Sequence, residues 1–160
     1  MNKTLWLMCG APASGKSWFA KNKLMKGYGW DYISRDEVRF SIIKNDEEYF
    51  SHETAVFNEF VGKIAIALDW GHDNVIADAT HLNWGSRRKL LQALSKNCVL
   101  EDVDVIPVVI DAKLEDILER NKLRDGRARV PEETIRRMYS SISDPAKDPY
   151  KYTAIMRVKN

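Results

Sequence analysis

Gly10-Ala11-Pro12-Ala13-Ser14-Gly15-Lys16-Ser17 fits the phosphate-binding pattern G-x-x-x-x-G-K-[ST] at every specified position. Upstream, Leu5-Trp6-Leu7-Met8-Cys9 is an unbroken apolar run of the kind a buried parallel strand shows, and downstream Trp18 to Leu24 continues as a helix. Strand, loop and helix come in the order the pattern requires, which predicts a nucleoside-triphosphate site. Glycine lets the backbone curl so that successive N–H groups point at phosphate oxygens, and the helix amino end adds its positive dipole. Gly10, Ala13, Ser14 and Gly15 are expected to form the cradle. Lys16 would reach the β- and γ-phosphates of ATP or another NTP, and the Ser17 hydroxyl would ligate Mg2+.

The rest of the composition bounds the setting. The 160 residues suit one compact domain spanning positions 1–160. Hydrophobic residues at 44% against 30% charged exclude a disordered chain, and a net charge of +2 gives no whole-body attraction to nucleic acid. A polyanion contact must therefore come from a local basic cluster. Cys9 and Cys98 lack a C-x-x-C pairing, and no apolar run is long enough for a membrane span, so the expectation is a reducing cytoplasm with both thiols as small core residues. Lys44 to Glu48 is polar enough for a mobile loop.

Along the chain, Trp30 to Ser34 reads as a short strand, which places Asp36 at a strand's carboxyl end, where ligands of open α/β sheets gather. Val38 and Ile42 form an apolar stripe that leaves Arg39 off it and free to face the cleft. Glu53 to Trp70 carries helical periodicity and ends at Gly71. His52-Glu53 lacks the second histidine of a zinc motif, with Val56 in its place, so no metal is expected there. Asn74 to Asp78 is another buried strand ending in a carboxylate, followed by a loop with Thr80. Arg87-Arg88-Lys89 near the start of the next helix are expected to be solvated, the commoner fate of surface charge clusters, or paired with an anion.

Asp104 to Asp111 is the next strand, with Pro107 marking an irregular or partly unpaired stretch. Asp102 and Asp104 mimic the paired aspartates of haloacid-dehalogenase phosphatases, but they open the strand rather than end it and are read as coincidence. A helix from Lys113 to Leu123 runs into a basic turn, and Pro131 starts another helix. Arg120, Arg124, Arg127 and Arg129 cluster around this hinge, with Gly126 permitting a bend, so residues 120–140 are expected to form a lid. The alternative for Arg120 is an i,i+4 surface pair with Asp116. Tyr152 to Val158 alternates as a last strand. The expected fold is an α/β P-loop NTPase-like three-layer sandwich, with a central parallel sheet of about five strands and a helical arginine-rich lid.

The loop together with Ser34-Arg35-Asp36-Glu37-Val38-Arg39, Asp78-Ala79-Thr80-His81-Leu82-Asn83, Glu119 to Arg124, Val130-Pro131 and Met138-Tyr139 resembles the 5′-hydroxyl polynucleotide kinases of the phage type over nearly the whole chain. The resemblance implies transfer of the NTP γ-phosphoryl to the 5′-hydroxyl end of DNA or RNA. Asp36 would be the general base, Arg39 would hold the acceptor's 3′ phosphate, Arg120 and Arg124 would be the lid arginines, and Thr80 an acceptor-side residue. Two departures stand out. Ala13 replaces a glycine common in that loop, which suits ordinary backbone dihedrals only, and Ala79 separates Asp78 from Thr80. Asp78 is thus left between acceptor contact and water-mediated magnesium binding. No stretch matches the phage enzymes' 3′-phosphatase domain, so kinase activity alone is expected.

Phe40 and Trp84 are candidates for stacking on acceptor bases, with core packing the commoner role of such aromatics. Two other readings stay open: a P-loop small-molecule or zeta-toxin-like nucleotide-sugar kinase, and a non-catalytic NTP-binding switch.

Overall fold

The structure is a computed structural model that describes residues 2–98 and 100–160. Its centre is β1 (Lys3–Cys9), which pairs in parallel with β3 (Asn74–Asp78) on one side and β4 (Val103–Asp111) on the other. Strands β2 (Trp30–Ser34) and β5 (Met156–Lys159) complete a parallel five-stranded sheet in the order β2-β3-β1-β4-β5. Parallel strands need crossovers, and helices supply them. These are α1 (Lys16–Phe19), α2 (Arg35–Ile42), α3 (Glu53–Trp70), α4 (Trp84–Asn97), α5 (Leu114–Lys122) and α6 (Glu132–Ser140).

Alternation along β1 assigns the layers. Leu5, Leu7 and Cys9 face a core with Phe60, Ile64 and Leu68 of α3 and Leu90, Leu91 and Leu94 of α4. Met8 faces the other way, onto Ile76, Val108, Ile110 and Ala20, with Trp6 packed against that side. A strand covered on both faces reads as a continuous apolar run because neither set of side chains meets water. A third cluster, Ala11, Ala13, Leu82, Ala112, Ile117, Val130 and Ile135, joins the phosphate loop to α5 and α6.

Several local features depart from the sequence reading. The helix after the loop is α-helical only to Phe19 and continues as a π turn over Ala20–Leu24, closed by Met25 N–H donating to Ala20 O at 2.9 Å. Helix α4 starts at Trp84, where Asn83 and Ser86 form a reciprocal capping box. Pairing of β4 with β5 begins at Val108, so that flank carries no ladder at Pro107, while pairing with β1 runs through it. The last strand begins at Met156, later than its alternation suggested.

Arg87 takes the less common of its two expected fates, pairing with an anion. It is fully buried and forms a bidentate pair with Asp148, Nε to Oδ2 at 2.6 Å and Nη2 to Oδ1 at 2.9 Å, while Nη1 donates to His81 O at 2.8 Å. Arg88 and Lys89 are exposed. Cys9 is buried and its thiol is pushed up to about 12 by that burial, which suits an inert core residue; Cys98 is half-buried. Among the described residues no helix is long and apolar enough to cross a membrane.

Candidate active site

The phosphate loop leaves the carboxyl end of β1, at the point where neighbouring strands lie to either side, the position at which open α/β sheets hold ligands. Gly10 N–H donates to Thr80 O at 2.9 Å, which ties the loop to the segment after β3. A Cβ on Gly10 would come within 2.6 Å of Ser14 Oγ and 3.3 Å of Ile110 O, so any larger residue would force both to shift. Ala13 has φ 63, in the left-handed region, contrary to the ordinary dihedrals expected for it. The geometry is the one glycine adopts freely, and alanine holds it at a cost of about 1–2 kcal/mol. Ser14 Oγ is buried with no hydrogen-bond partner, and Ser14 O accepts from Arg120 Nη1 at 3.3 Å and from Asn160 Nδ2 at 2.8 Å.

Beside the loop lies a cleft of about 210 Å3 lined by Lys16, Ser17, Arg35, Asp36, Arg39, Tyr49, Glu53, Asp78, Thr80 and Arg124, among others. Six residues singled out from the sequence, Lys16, Asp36, Arg39, Asp78, Thr80 and Arg124, thus share one space with Ser17. Partial burial lowers the pKa of Lys16, while the negative charges of Asp78 and Asp36 oppose that shift and Arg124 adds to it. Ser17 Oγ donates to Asp78 Oδ2 at 2.6 Å, and the Tyr32 hydroxyl donates to the same oxygen. Burial first, then Asp78, pushes Tyr32 upward, so its hydroxyl stays a donor.

Asp36 sits in the first turn of α2, whose N-cap Ser34 accepts from Glu37 N–H at 3.2 Å. Its Oδ1 accepts from Arg39 Nη1 and from the Tyr49 hydroxyl, and its Oδ2 carries no hydrogen bond among the described residues. Arg39 is buried, with Nε on Glu53 Oε1 at 2.8 Å, Nη2 on Glu53 Oε2 at 3.1 Å and Nη1 on Tyr49 at 2.7 Å. Its guanidinium also lies 4.1 Å from the Tyr49 ring centroid. Burial disfavours its charge, but the Glu53 hydrogen bonds together with the charges of Tyr49, Glu53 and Asp36 outweigh it and raise its pKa. Arg35 Nη2 reaches Glu53 Oε2 at 3.0 Å.

The arginines of the 120–140 segment divide. Arg124 lines the cleft and donates to Ala128 O at 3.2 Å, whereas Arg120 rests on the far side of the loop at Ser14 O; no ion pair joins Arg120 to Asp116 among the described residues. Arg127 lies over Phe40 at 4.7 Å and donates to Ile43 O at 3.4 Å, holding the basic turn against α2. Arg129 lines a separate cavity with Asn121 and Pro131. Buried Asn121 closes the turn by bonding both the N–H and the C=O of Val130, at 3.0 and 2.6 Å. Trp84 packs against the main core and lines a surface cavity with Leu91 and Tyr150, away from the cleft.

Glu53 and Tyr49 in the cleft, and Tyr32 behind it on Asp78, are site residues that the sequence reading did not name. Only the offset of Glu53 from the Arg35 and Arg39 segment by one loop hinted at it, and that loop's polarity pointed toward mobility instead.

The oxygen donors Ser17 and Asp78 suit a hard cation such as Mg2+, which is usually held by one or two carboxylates plus substrate phosphates. No cluster of three or more His, Cys, Asp or Glu side chains able to hold a metal exists among the described residues.

A family described as AAA domain matches residues 5–145. The chain is 29% identical over 153 residues to a protein of Autographa californica nuclear polyhedrosis virus provisionally named a bifunctional polynucleotide kinase/RNA ligase; the match covers 86% of this chain and 20% of that one. Among solved structures, a chain of the Pnkp1/Rnl/Hen1 RNA repair complex superposes with a TM-score of 0.72 at 22% identity, covering 88% of this chain and 44% of that one. A fungal RNA kinase gives 0.65 at 14%, covering 98% and 74%. A sugar kinase of Janibacter sp. HTCC2649 gives 0.58 at 15%, covering 99% and 86%, so the shared fold does not choose the acceptor. The chain spans a fifth of the length of the viral relative and under half of the repair-complex chain. The match over residues 5–145, on a phosphate loop set at the centre of a parallel sheet, means that this chain belongs to the AAA-domain family of P-loop proteins.

Proposed function

We propose that the chain is a polynucleotide 5′-hydroxyl kinase that moves the γ-phosphoryl of ATP or another NTP to the 5′-hydroxyl end of DNA or RNA. The observation that carries this reading is the convergence of Lys16, Asp36, Arg39, Asp78, Thr80 and Arg124 on one cleft beside the phosphate loop. The similarity to proteins named as polynucleotide and RNA kinases supports it.

Phosphoryl transfer asks for an in-line acceptor and charge compensation more than for covalent chemistry. Gly10, Ala13, Ser14 and Gly15 cradle the donor phosphates and Lys16 neutralises them. Asp36 Oδ1 is fixed by Arg39 and Tyr49, which leaves Oδ2 to accept the proton of the incoming hydroxyl. Arg39 has four of its five N–H groups engaged by Glu53, Asp36 and Tyr49, so one remains for the acceptor's 3′ phosphate. Thr80 stands on the acceptor side. When bound, Mg2+ held by Ser17 with Asp78 beside it supplies further charge neutralisation at the donor phosphates. Residues 120–140 act as a lid, with Arg124 already over the cleft and Arg120 moving from Ser14 O to the developing charge. The whole of 1–160 works as a single kinase domain.

The test offers γ-labelled ATP with a 5′-hydroxyl oligonucleotide and, separately, with a panel of sugars, nucleosides and nucleotide sugars. Label on the oligonucleotide 5′ end is the expected result. Label on a metabolite alone refutes the polynucleotide acceptor, and label on neither refutes the kinase.

A further inference from the structure

The cleft is small for a ligand pocket, about 210 Å3 against the roughly 300–1,000 Å3 usual for small-molecule sites. Only the end of a long acceptor fits inside it, and the remainder must cross the rim. On one rim stands Glu53, the first residue of α3, and one turn along the same helix face comes Phe57. The Phe57 ring is partly buried against the main core. Lys89 Nζ of α4 lies 4.5 Å from the ring centroid, and the guanidinium carbon of Arg35, a cleft residue, lies 5.6 Å from it. The two cations are therefore no more than about 10 Å apart, within a Debye length of each other.

Neither cation is fully compensated. Ion-paired lysines are Lys21, Lys63 and Lys122, and Lys89, which is exposed, pairs with no carboxylate among the described residues. Arg35 gives Nη2 to Glu53, but its Nε is buried without a hydrogen-bond partner. The aromatic ring attracts both cations without neutralising either, so their charge and the Arg35 Nη1 donors, which make no hydrogen bond among the described residues, stay available to an anion. Repulsion between them disfavours the arrangement until one arrives.

We propose that Arg35, Phe57 and Lys89 form a contact for an internucleotide phosphate, on which a polynucleotide acceptor leaves the cleft past α3 and α4. The proposal deepens the polynucleotide kinase reading and rests on it. Phe57 acts as the post against which the two cations are held, and the non-bridging phosphate oxygens accept from Lys89 Nζ and the free donors of Arg35. A terminal nucleotide would not reach this contact, whereas a strand would.

The test compares thymidine 3′-monophosphate with a 5′-hydroxyl decathymidylate as acceptors for the wild-type chain, Lys89→Gln and Phe57→Leu. Expected are a lower KM for the decamer than for the mononucleotide in the wild type and a rise of about fivefold or more in the decamer KM in Lys89→Gln, with kcat unchanged. The slope of log KM against log salt should fall by about 0.7, the loss of one single-strand phosphate contact. Phe57→Leu should weaken decamer binding in the same direction, and the mononucleotide KM should not move in either variant. Equal effects on both acceptors, or none on the decamer, overturn the contact while leaving the kinase reading intact. Labelling of neither acceptor by the wild type overturns the kinase reading and the contact together.

Discussion

Arg87→Met tests the least expected feature of the fold. The Arg87 and Asp148 side chains are 1% and 2% exposed, and the guanidinium holds Asp148 through both oxygens, His81 O, and Ser143 O at 3.2 Å. Removing the cation strands a buried carboxylate whose remaining side-chain donor is the Tyr152 hydroxyl at 2.7 Å. Losing one partner of a buried pair costs about 3–5 kcal/mol, which for a chain of this size corresponds to a fall of about 6–20 °C in Tm. Replacing both partners removes the stranded charge, so Arg87→Met with Asp148→Leu should recover to within about 2 kcal/mol of the wild type. Urea unfolding followed by circular dichroism, with calorimetry for Tm, gives the cycle. A loss under about 1 kcal/mol in the single variant, or a double variant as unstable as the sum of the singles, would refute the argument that desolvation of the pair sets the energy.

Asp36→Ala should lower single-turnover transfer by about 10²- to 10⁴-fold while calorimetric ATP affinity is retained; unchanged transfer would make Asp36 an ordinary first-turn carboxylate. At Ala13, valine should destabilise the fold by more than about 2 kcal/mol because a β-branched residue resists the left-handed region, whereas glycine should be neutral or slightly stabilising. Thermal melts decide it, and a tolerated valine would show that the loop relaxes. His81 is buried against Met8 O, and burial lowers its pKa to about 4. The unfolded chain therefore binds its proton near pH 6.5 while the folded chain does not, so stability contributed at neutral pH is lost on acidification between those values. About 2 kcal/mol should go between pH 7 and pH 5, and His81→Asn should flatten that slope in urea titrations; an unchanged slope removes His81 as the source.

What could be read from residues alone follows from how local the cause is. The apolar run of β1 and the periodicity of α3 were legible because burial on both faces, or on one stripe, imprints directly on neighbouring positions. The loop motif located the cleft because Asp36, Asp78 and Arg124 end or follow elements whose order the fold fixes. Arg87 was not legible, because its partner lies 61 residues away and a cation near a helix start looks solvated until that partner is placed. Glu53 was missed for the same reason, since Arg39 stands 14 residues before it across a polar loop. Trp84 took the commoner of its two expected roles: proximity in sequence to the Asp78 loop made it a stacking candidate, yet the helix it begins turns it onto the core and another surface. The conformation of Ala13 belongs to the loop's closure rather than to alanine's own preference.

The carbonyl of Ser14 has two lone pairs and two donors, Arg120 and Asn160. If Arg120 swings toward a nucleotide as proposed above, Asn160 would keep that oxygen satisfied, so the departure would leave no orphan on the loop. The arginine would exchange one oxygen for another, and the pull on it would come from the charge of the arriving phosphate.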